Sequence, residues 1–254
     1  MTNKTKFSQF STTYRQRIYA NYGKNFQDTS ETFDYASSLR WGSAYSYYLR
    51  NWLPDIKTAR IVDLACGRGA LLHFFKDQGY QNIEGVDISP DQVALSRQIT
   101  PNVTEANVIK YLETHVNQFD LITGFDIIEH FYKDELLCFL DTAYAALKPG
   151  GRLILQTPNA EGPWGAQHRY SDFTHEIGLT PNALGRLLKI TGFIILEARE
   201  CNPPPYGYSL FSSIRFGLWQ LIRLHLLAWN LIETGSAGSR VLTRVFLMSA
   251  CKPR

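Results

Sequence analysis

From Ala59 onward, short apolar runs alternate with stretches in which apolar residues recur every three or four positions. Strand-like and helix-like periodicity in alternation predicts a parallel sheet joined by helical crossovers. The strand-like runs are Arg60 to Leu64, Ile83 to Asp87, Val103 to Ala106, Phe119 to Gly124, Arg152 to Gln156, Phe193 to Ala198 and Val245 to Ala250. Helical spacing carries Leu71, Leu72, Phe74 and Phe75 to a stop at Gly79. It also predicts helices over Asp134 to Lys148, ended by Pro149-Gly150-Gly151, and over Pro181 to Thr191. Ser89 and Pro90 are suited to cap and begin another helix after the second strand.

The flanks read differently. Residues 1–55 are rich in Tyr, Ser and Asn, and the spacing from Phe33 to Leu53 predicts a helical cap on a domain spanning 56–254. Of its aromatics, Tyr19, Tyr22, Tyr35, Tyr45, Tyr47 and Tyr48, most are expected to pack, with one or two covering a ligand. A helical insertion is expected over 200–240, holding Pro203-Pro-Pro205 and the apolar segment Leu210 to Ile232. That segment has no Asp or Glu and includes Arg215, Trp219, Arg223, His225 and Trp229. Apolar residues around most of the helix favour packing on the domain or on a second copy in a homodimer. The competing reading is a helix lying in a membrane interface.

Composition narrows the partners. A chain of 254 residues, 44% apolar, can bury a full core. Its 26 basic and 23 acidic residues leave a net charge of +3, which argues against a nucleic-acid partner. The four cysteines are scattered, without paired or zinc-type spacing, as in a reduced cytoplasmic protein. The N-terminus lacks the apolar stretch of a signal peptide, and no apolar run reaches the roughly 20 residues of a spanning helix.

The chemistry centres on Arg60-Ile-Val-Asp-Leu-Ala-Cys-Gly-Arg-Gly-Ala-Leu-Leu72, where a strand breaks into small residues and re-enters a helix. Gly67 and Gly69 stand where the chain turns and a ligand approaches its backbone, with Asp63 at the strand end. Asp87 ends the next strand about 20 residues beyond the glycines, the position of an acid that accepts from ribose hydroxyls.

With these residues in place the chain resembles, from about Ala59 to Lys252, the class I S-adenosylmethionine-dependent methyltransferases. Their first motif reads here Asp63-Leu-Ala65-Cys-Gly67-Arg-Gly69, with Ala65 where the family has its first glycine. Phe119-Asp-Leu-Ile, Glu129-His130 and Leu147-Lys-Pro-Gly-Gly151 are similar to later landmarks. The resemblance implies an α/β, Rossmann-like sheet of seven strands, mostly parallel, with helices on both faces. Its last strand should run antiparallel between the fifth and sixth. S-adenosylmethionine is the implied cofactor, with Asp87 on the ribose, Ile88 and Val108 beside the adenine, and Asn107 near the adenine amine. Gly124 and Phe125 complete the set, and Arg40 would clamp the methionine carboxylate. The segment Arg169 to His175 and the long insertion look like methyltransferases of bacterial surface-polysaccharide synthesis, implying O-methylation of a sugar, glycan or other small hydroxyl acceptor. The alternatives are N- or C-methylation of a small metabolite, or a nonenzymatic donor-binding protein.

Methyl transfer to a hydroxyl needs alignment and removal of a proton. The candidates are His130 after strand four, and His168, Asp172 and His175 after strand five. The expectation is that His175 or His168, with Asp172 beside it, activates the acceptor; the same residues could instead pin the loop. No metal is expected, because His168, Asp172 and His175 lack a recognised ligand spacing. Glu129 reads as a polar residue at a helix N-terminus.

Overall fold

The computed structural model describes residues 14–19 and 32–254. Tyr22 and the rest of the N-terminal segment lie outside the described residues. The helices are α1 (Tyr14–Tyr19), α2 (Tyr35–Tyr48), α3 (Ala70–Asp77), α4 (Pro90–Ser96), α5 (Val108–Glu113), α6 (Lys133–Ala146), α7 (Gly165–Ser171), α8 (Pro181–Ile190) and α9 (Leu210–Thr234). The strands are β1 (Arg60–Leu64), β2 (Asn82–Asp87), β3 (Val103–Glu105), β4 (Phe119–Phe125), β5 (Leu147–Pro158), β6 (Ile194–Glu200) and β7 (Val245–Cys251). They form one sheet in the order β3-β2-β1-β4-β5-β7-β6. The first five pair in parallel, while β7 runs antiparallel to both β5 and β6. The expected topology is present, and the order reverses between β1 and β4, where open sheets of this kind bind ligands.

Strand periodicity divides the core. Val62, Leu64, Ile122, Leu153 and Leu155 face the layer of α5, α6 and α8. Ile61, Leu121 and Ile154 face the other way, onto Phe74 and Phe75 of α3 and Ala44 and Tyr48 of α2. The predicted cap helix is therefore part of the second helical layer, filling the face beside α3. Its C-terminal end is tied to the far edge of the sheet: Tyr48 Oη donates to the Asn202 carbonyl at 2.8 Å, and Trp52 Nε1 donates to Glu197 Oε2 at 3.0 Å.

Several local expectations change. The Lys148-Pro-Gly-Gly151 turn does not end a helix; α6 stops at Ala146, and these residues open β5 with a register shift against β4. Ser89 is the N-cap of α4, but its hydroxyl makes no capping bond. The turn is held by Asp87 Oδ1, which accepts from the Ser89 N–H at 2.8 Å. Glu129 is buried, at 2% exposure, in a 3-10 turn spanning Ile128–His130.

The insertion between β6 and β7 carries α9. Its inner side is held by Ser212, whose hydroxyl donates to the Pro204 carbonyl at 2.8 Å, and by Trp219 and Arg223, which both donate to Glu200 Oε2. Leu210, Phe211, Ile214, Leu218, Leu221, Ile222, Trp229 and Ile232 are exposed. At 100° per residue these positions share one outward face. The expected packing of this apolar surface on the domain is corrected: only Ser212 of the helix is buried. No helix among the described residues is long and apolar enough to cross a membrane.

Candidate active site

The donor side is built at the C-terminal ends of β1 and β2. Asp63 is buried and accepts a 2.7 Å hydrogen bond from Thr123 Oγ1 on neighbouring β4. Burial pushes its carboxyl up to about 7; the Thr123 bond opposes that rise and the Asp87 charge adds to it. Asp87 Oδ2 accepts the Gly67 N–H at 2.8 Å, so the acid at the end of β2 fixes the turn leaving β1. Ala65, at φ 52°, adopts the left-handed backbone more usual for glycine, which fits its place in the first motif.

The two glycines do different work. At Gly67, φ is +52° and an added Cβ would meet only Gln92 Oε1, at 3.8 Å. This face is open enough for a ligand to approach the backbone. At Gly69, φ is +89° and a Cβ would fall 2.5 Å from Ile99 Cδ1 and 3.0 Å from Ser96 Cβ. Gly69 is needed for close packing against the end of α4 rather than for ligand approach. Gln92 Oε1 and Ser89 Oγ nearby are buried without hydrogen-bond partners. An open turn, two strand-end carboxylates and unused buried polar atoms fit a ligand bearing an ammonium group and ribose hydroxyls.

The adenine side is more exposed. Ile88 is 50% exposed, while Val108 is buried at the start of α5. Asn107 caps that helix: its Oδ1 accepts from the N–H groups of Ile109 and Lys110 at 3.0 and 3.2 Å. Its oxygen, the atom that would accept from an adenine amine, is thus engaged in the helix cap. Gly124 is buried at the end of β4, followed by Phe125, whose ring meets Tyr45 of α2 at 6.1 Å between centroids. Tyr45 also packs on Phe74, and burial followed by the charges of Asp63 and Asp126 holds its hydroxyl protonated. It is the cap aromatic that reaches the pocket. Arg40, on the same helix, is exposed and forms no ion pair with a described residue.

Beyond β4 lies a second group of polar residues. Asp126, at φ 52°, is open to solvent, yet the surrounding protein raises its pKa by desolvation; Gln156 Nε2 donates to its Oδ2 at 2.9 Å. Glu129 accepts from Thr157 Oγ1 at 2.9 Å through Oε2, while its Oε1 is buried and unpartnered. Burial, then the neighbouring Asp126 charge, raises the Glu129 pKa well above the usual range. The Glu129 carbonyl accepts the N–H groups of Glu176 and Ile177, which draws the loop after β5 against the 3-10 turn. His130 and His175 consequently meet edge to face, with centroids 4.8 Å apart.

Hydrogen bonds define the tautomers of both rings. His175 Nδ1 lies 3.1 Å from the His168 carbonyl, which can only accept, so Nδ1 carries a proton and Nε2 is the nitrogen left for a ligand. Thr174 Oγ1 gives its proton to Asp172 Oδ1 at 2.7 Å, so the contact of His130 Nδ1 with Thr174 Oγ1, at 2.9 Å, is donated by the imidazole. Asp172 therefore lies behind His130, reached through Thr174, and not beside His175 or His168 as the sequence suggests. Burial, then proximity to His175, lowers the His130 pKa to about 4 and keeps the ring neutral. His168 is also shifted down by burial, and it contributes its carbonyl rather than its ring to this arrangement. Helix α1 closes the outer side: Arg15 pairs with Glu135 at 2.7 Å and donates to the His130 carbonyl.

A methyltransferase-domain family model matches residues 31–198. The chain belongs to the class I S-adenosylmethionine-dependent methyltransferase family. It is 35% identical over 180 residues to the ubiquinone biosynthesis O-methyltransferase of Nitrobacter winogradskyi, covering 61% of this chain and 65% of that protein. It is 28% identical over 130 residues to the small RNA 2'-O-methyltransferase of Mus musculus, covering 45% of this chain and 33% of that one. The matches thus span less than two thirds of either relative. Among solved structures, an S-adenosylmethionine-dependent methyltransferase from Archaeoglobus fulgidus superposes with a TM-score of 0.61 at 22% identity, covering 86% of this chain and all of that one. That likeness concerns the fold.

Asp63, Gly67 and Asp87 meet at the ends of β1 and β2, where open sheets of this kind bind ligands. Asp126, Tyr45 and the buried role of Glu129 were not singled out from sequence. An acid three residues before Glu129-His130 was the available signal for Asp126. Nothing in the local pattern distinguishes Tyr45 from its neighbouring tyrosines.

Proposed function

We infer that the methyltransferase transfers its methyl group to a hydroxyl of a small or glycan-type acceptor. One observation carries the reading: a Glu129 carboxyl oxygen and one ring nitrogen from each of His130 and His175 lie within 4.8 Å of one another beyond the end of β4. Such a cluster favours the ionised form of a hydroxyl, the form that attacks carbon. The Nitrobacter and mouse relatives, both O-methyltransferases, support the same choice of atom. S-adenosylmethionine supplies an electrophilic methyl on a sulfonium. Asp63 meets its ammonium group, Asp87 its ribose, and Ile88, Asn107 and Val108 border its adenine. Arg40 is the cation proposed for its carboxylate, and Tyr45 with Phe125 excludes water from the methyl end.

The test is incubation with methyl-labelled donor and fractionated cell extract, followed by identification of the labelled product. A new methyl ether is the expected result. Label on nitrogen or carbon overturns the hydroxyl assignment.

We infer further that the outward face of α9 rests on the inner face of a membrane. Its exposed leucines and isoleucines offer apolar area, Trp229 suits the headgroup depth, and the absence of Asp and Glu from Leu210 to Ile232 avoids repulsion by anionic lipids. Pelleting with anionic vesicles should be lost in a Leu218→Glu/Ile232→Glu variant. Equal pelleting of both proteins, or a homodimer abolished by the same substitutions, argues against the lipid assignment.

A further inference from the structure

One ligand-type atom from each of Glu129, His130 and His175 lies within 4.8 Å of the other two. Two imidazoles and one carboxylate form a common donor set for a divalent cation. Proximity alone would be weak support, because polar side chains also cluster to satisfy one another. Here they do not.

Glu129 Oε1 is buried without a hydrogen-bond partner, an arrangement that is costly for a charged carboxylate unless a proton or a cation neutralises it, and a proton there would itself lack an acceptor. Among the described residues no Lys or Arg forms an ion pair with Glu129, and the second carboxylate, Asp126, lies within its electrostatic reach. The imidazoles are not free to serve as donors to Glu129 through Nδ1. Both Nδ1 protons are committed, one to the His168 carbonyl and the other to Thr174 Oγ1, with Asp172 behind it. Hydrogen bonding of the remote nitrogen to a carbonyl or to a carboxylate-backed group is how ligating histidines are oriented, with the other nitrogen bare toward the ion.

We propose that Glu129 Oε1 and the Nε2 atoms of His130 and His175 bind a divalent cation that holds the acceptor hydroxyl beside the donor's methyl group. The assignment deepens the O-methylation reading and its catalytic role rests on it. On the cation the hydroxyl releases its proton to solvent. Its oxygen then forms a bond to the methyl carbon as the carbon–sulfur bond breaks, and the sulfur keeps the electron pair. Asp126 is the adjacent carboxylate that adds negative charge to the site. The ligands come from the turn after β4 and the loop after β5, so neither segment forms the site alone. The set differs from His168, Asp172 and His175, since Asp172 acts behind Thr174 and His168 through its carbonyl.

The test uses the full chain treated with a chelator, then titrated with Mn2+ and followed by the electron paramagnetic resonance of the free ion. One Mn2+ per chain is expected, with affinity reduced about tenfold or more in Glu129→Gln and His175→Ala. S-adenosylhomocysteine titration of each variant checks that the donor pocket is intact. Should either variant fail to fold, the wild-type protein serves: Mn2+ should broaden the ring-proton NMR signals of His130 and His175 before those of His73 and His115. Absence of bound Mn2+ in protein that binds S-adenosylhomocysteine, or unselective broadening, overturns the proposal. Selective Mn2+ binding together with label on nitrogen supports the cation site while overturning the hydroxyl reading.

Discussion

Thr123 donates a 2.7 Å hydrogen bond to Asp63 across adjacent strands, and it is the only side chain bonded to that buried carboxyl among the described residues. One neutral donor does not offset the loss of water, so the carboxyl stands near 7. The donor's ammonium group, placed beside it, favours the carboxylate. Binding therefore expels a proton below pH 7 and none above it. S-adenosylhomocysteine affinity should weaken about tenfold for each pH unit below 7 and level off above it. Isothermal titration between pH 5.5 and 8.5 measures this, and Asp63→Asn should bind weakly with a flat profile. The same shift acts on folding with the opposite slope. A carboxyl with a raised folded-state pKa binds its proton more tightly when folded, so its contribution to stability falls as pH rises from about 4 to 7, by a few kcal/mol at most.

Gly69→Ala should destabilise the fold. The left-handed backbone there disfavours a side chain, and the added Cβ would lie 2.5 Å from Ile99 Cδ1. A loss of about 2 kcal/mol or more is expected, read as a lower denaturant midpoint. Gly67→Ala, in open space, should cost less stability and more donor affinity.

Tyr45→Ala should weaken S-adenosylhomocysteine binding about tenfold, whereas Tyr45→Phe should bind nearly as the wild type. The ring packs between Phe74 and Phe125 and carries the burial, while the hydroxyl has no hydrogen-bond partner among the described residues. Calorimetric titration of both variants separates the ring from the hydroxyl.

Thr174→Val should loosen the hold on the His130 tautomer, leaving only the longer 3.3 Å contact of Nδ1 with the carbonyl of residue 174. Thr174 links His130 Nδ1 to Asp172, and valine keeps the shape while removing the link. Nitrogen-15 NMR of labelled histidine should show a mainly Nδ1-protonated ring in the wild type and a mixture in the variant. His175, held by the His168 carbonyl, should be unaffected.

The methyltransferase sheet was legible in the chain because alternating periodicities are local, and so are the turn at Gly67 and the acid at Asp87. Strand β1 begins and ends where its apolar run does, and β7 differs by one residue. The start of β5 was not legible: Lys148-Pro-Gly-Gly151 has the composition of a helix stop, and only pairing with β4 and β7 draws it into the sheet. For α9, an apolar segment without acids reads equally well as buried or exposed. The inward ties to Glu200 decided which face remained open.

Sequence by itself brought Asp63, Gly67 and Asp87 together at adjacent strand ends, because their spacing along the chain implies their spacing in space. Tertiary structure alone decided the polar cluster beyond β4. Glu129 and His175 are joined through hydrogen bonds from the N–H groups of Glu176 and Ile177 to the Glu129 carbonyl, a contact with no local pattern. Side-chain chemistry there depends on which polar atoms lose water and which find partners, and that is settled only when β4 and β5 lie side by side.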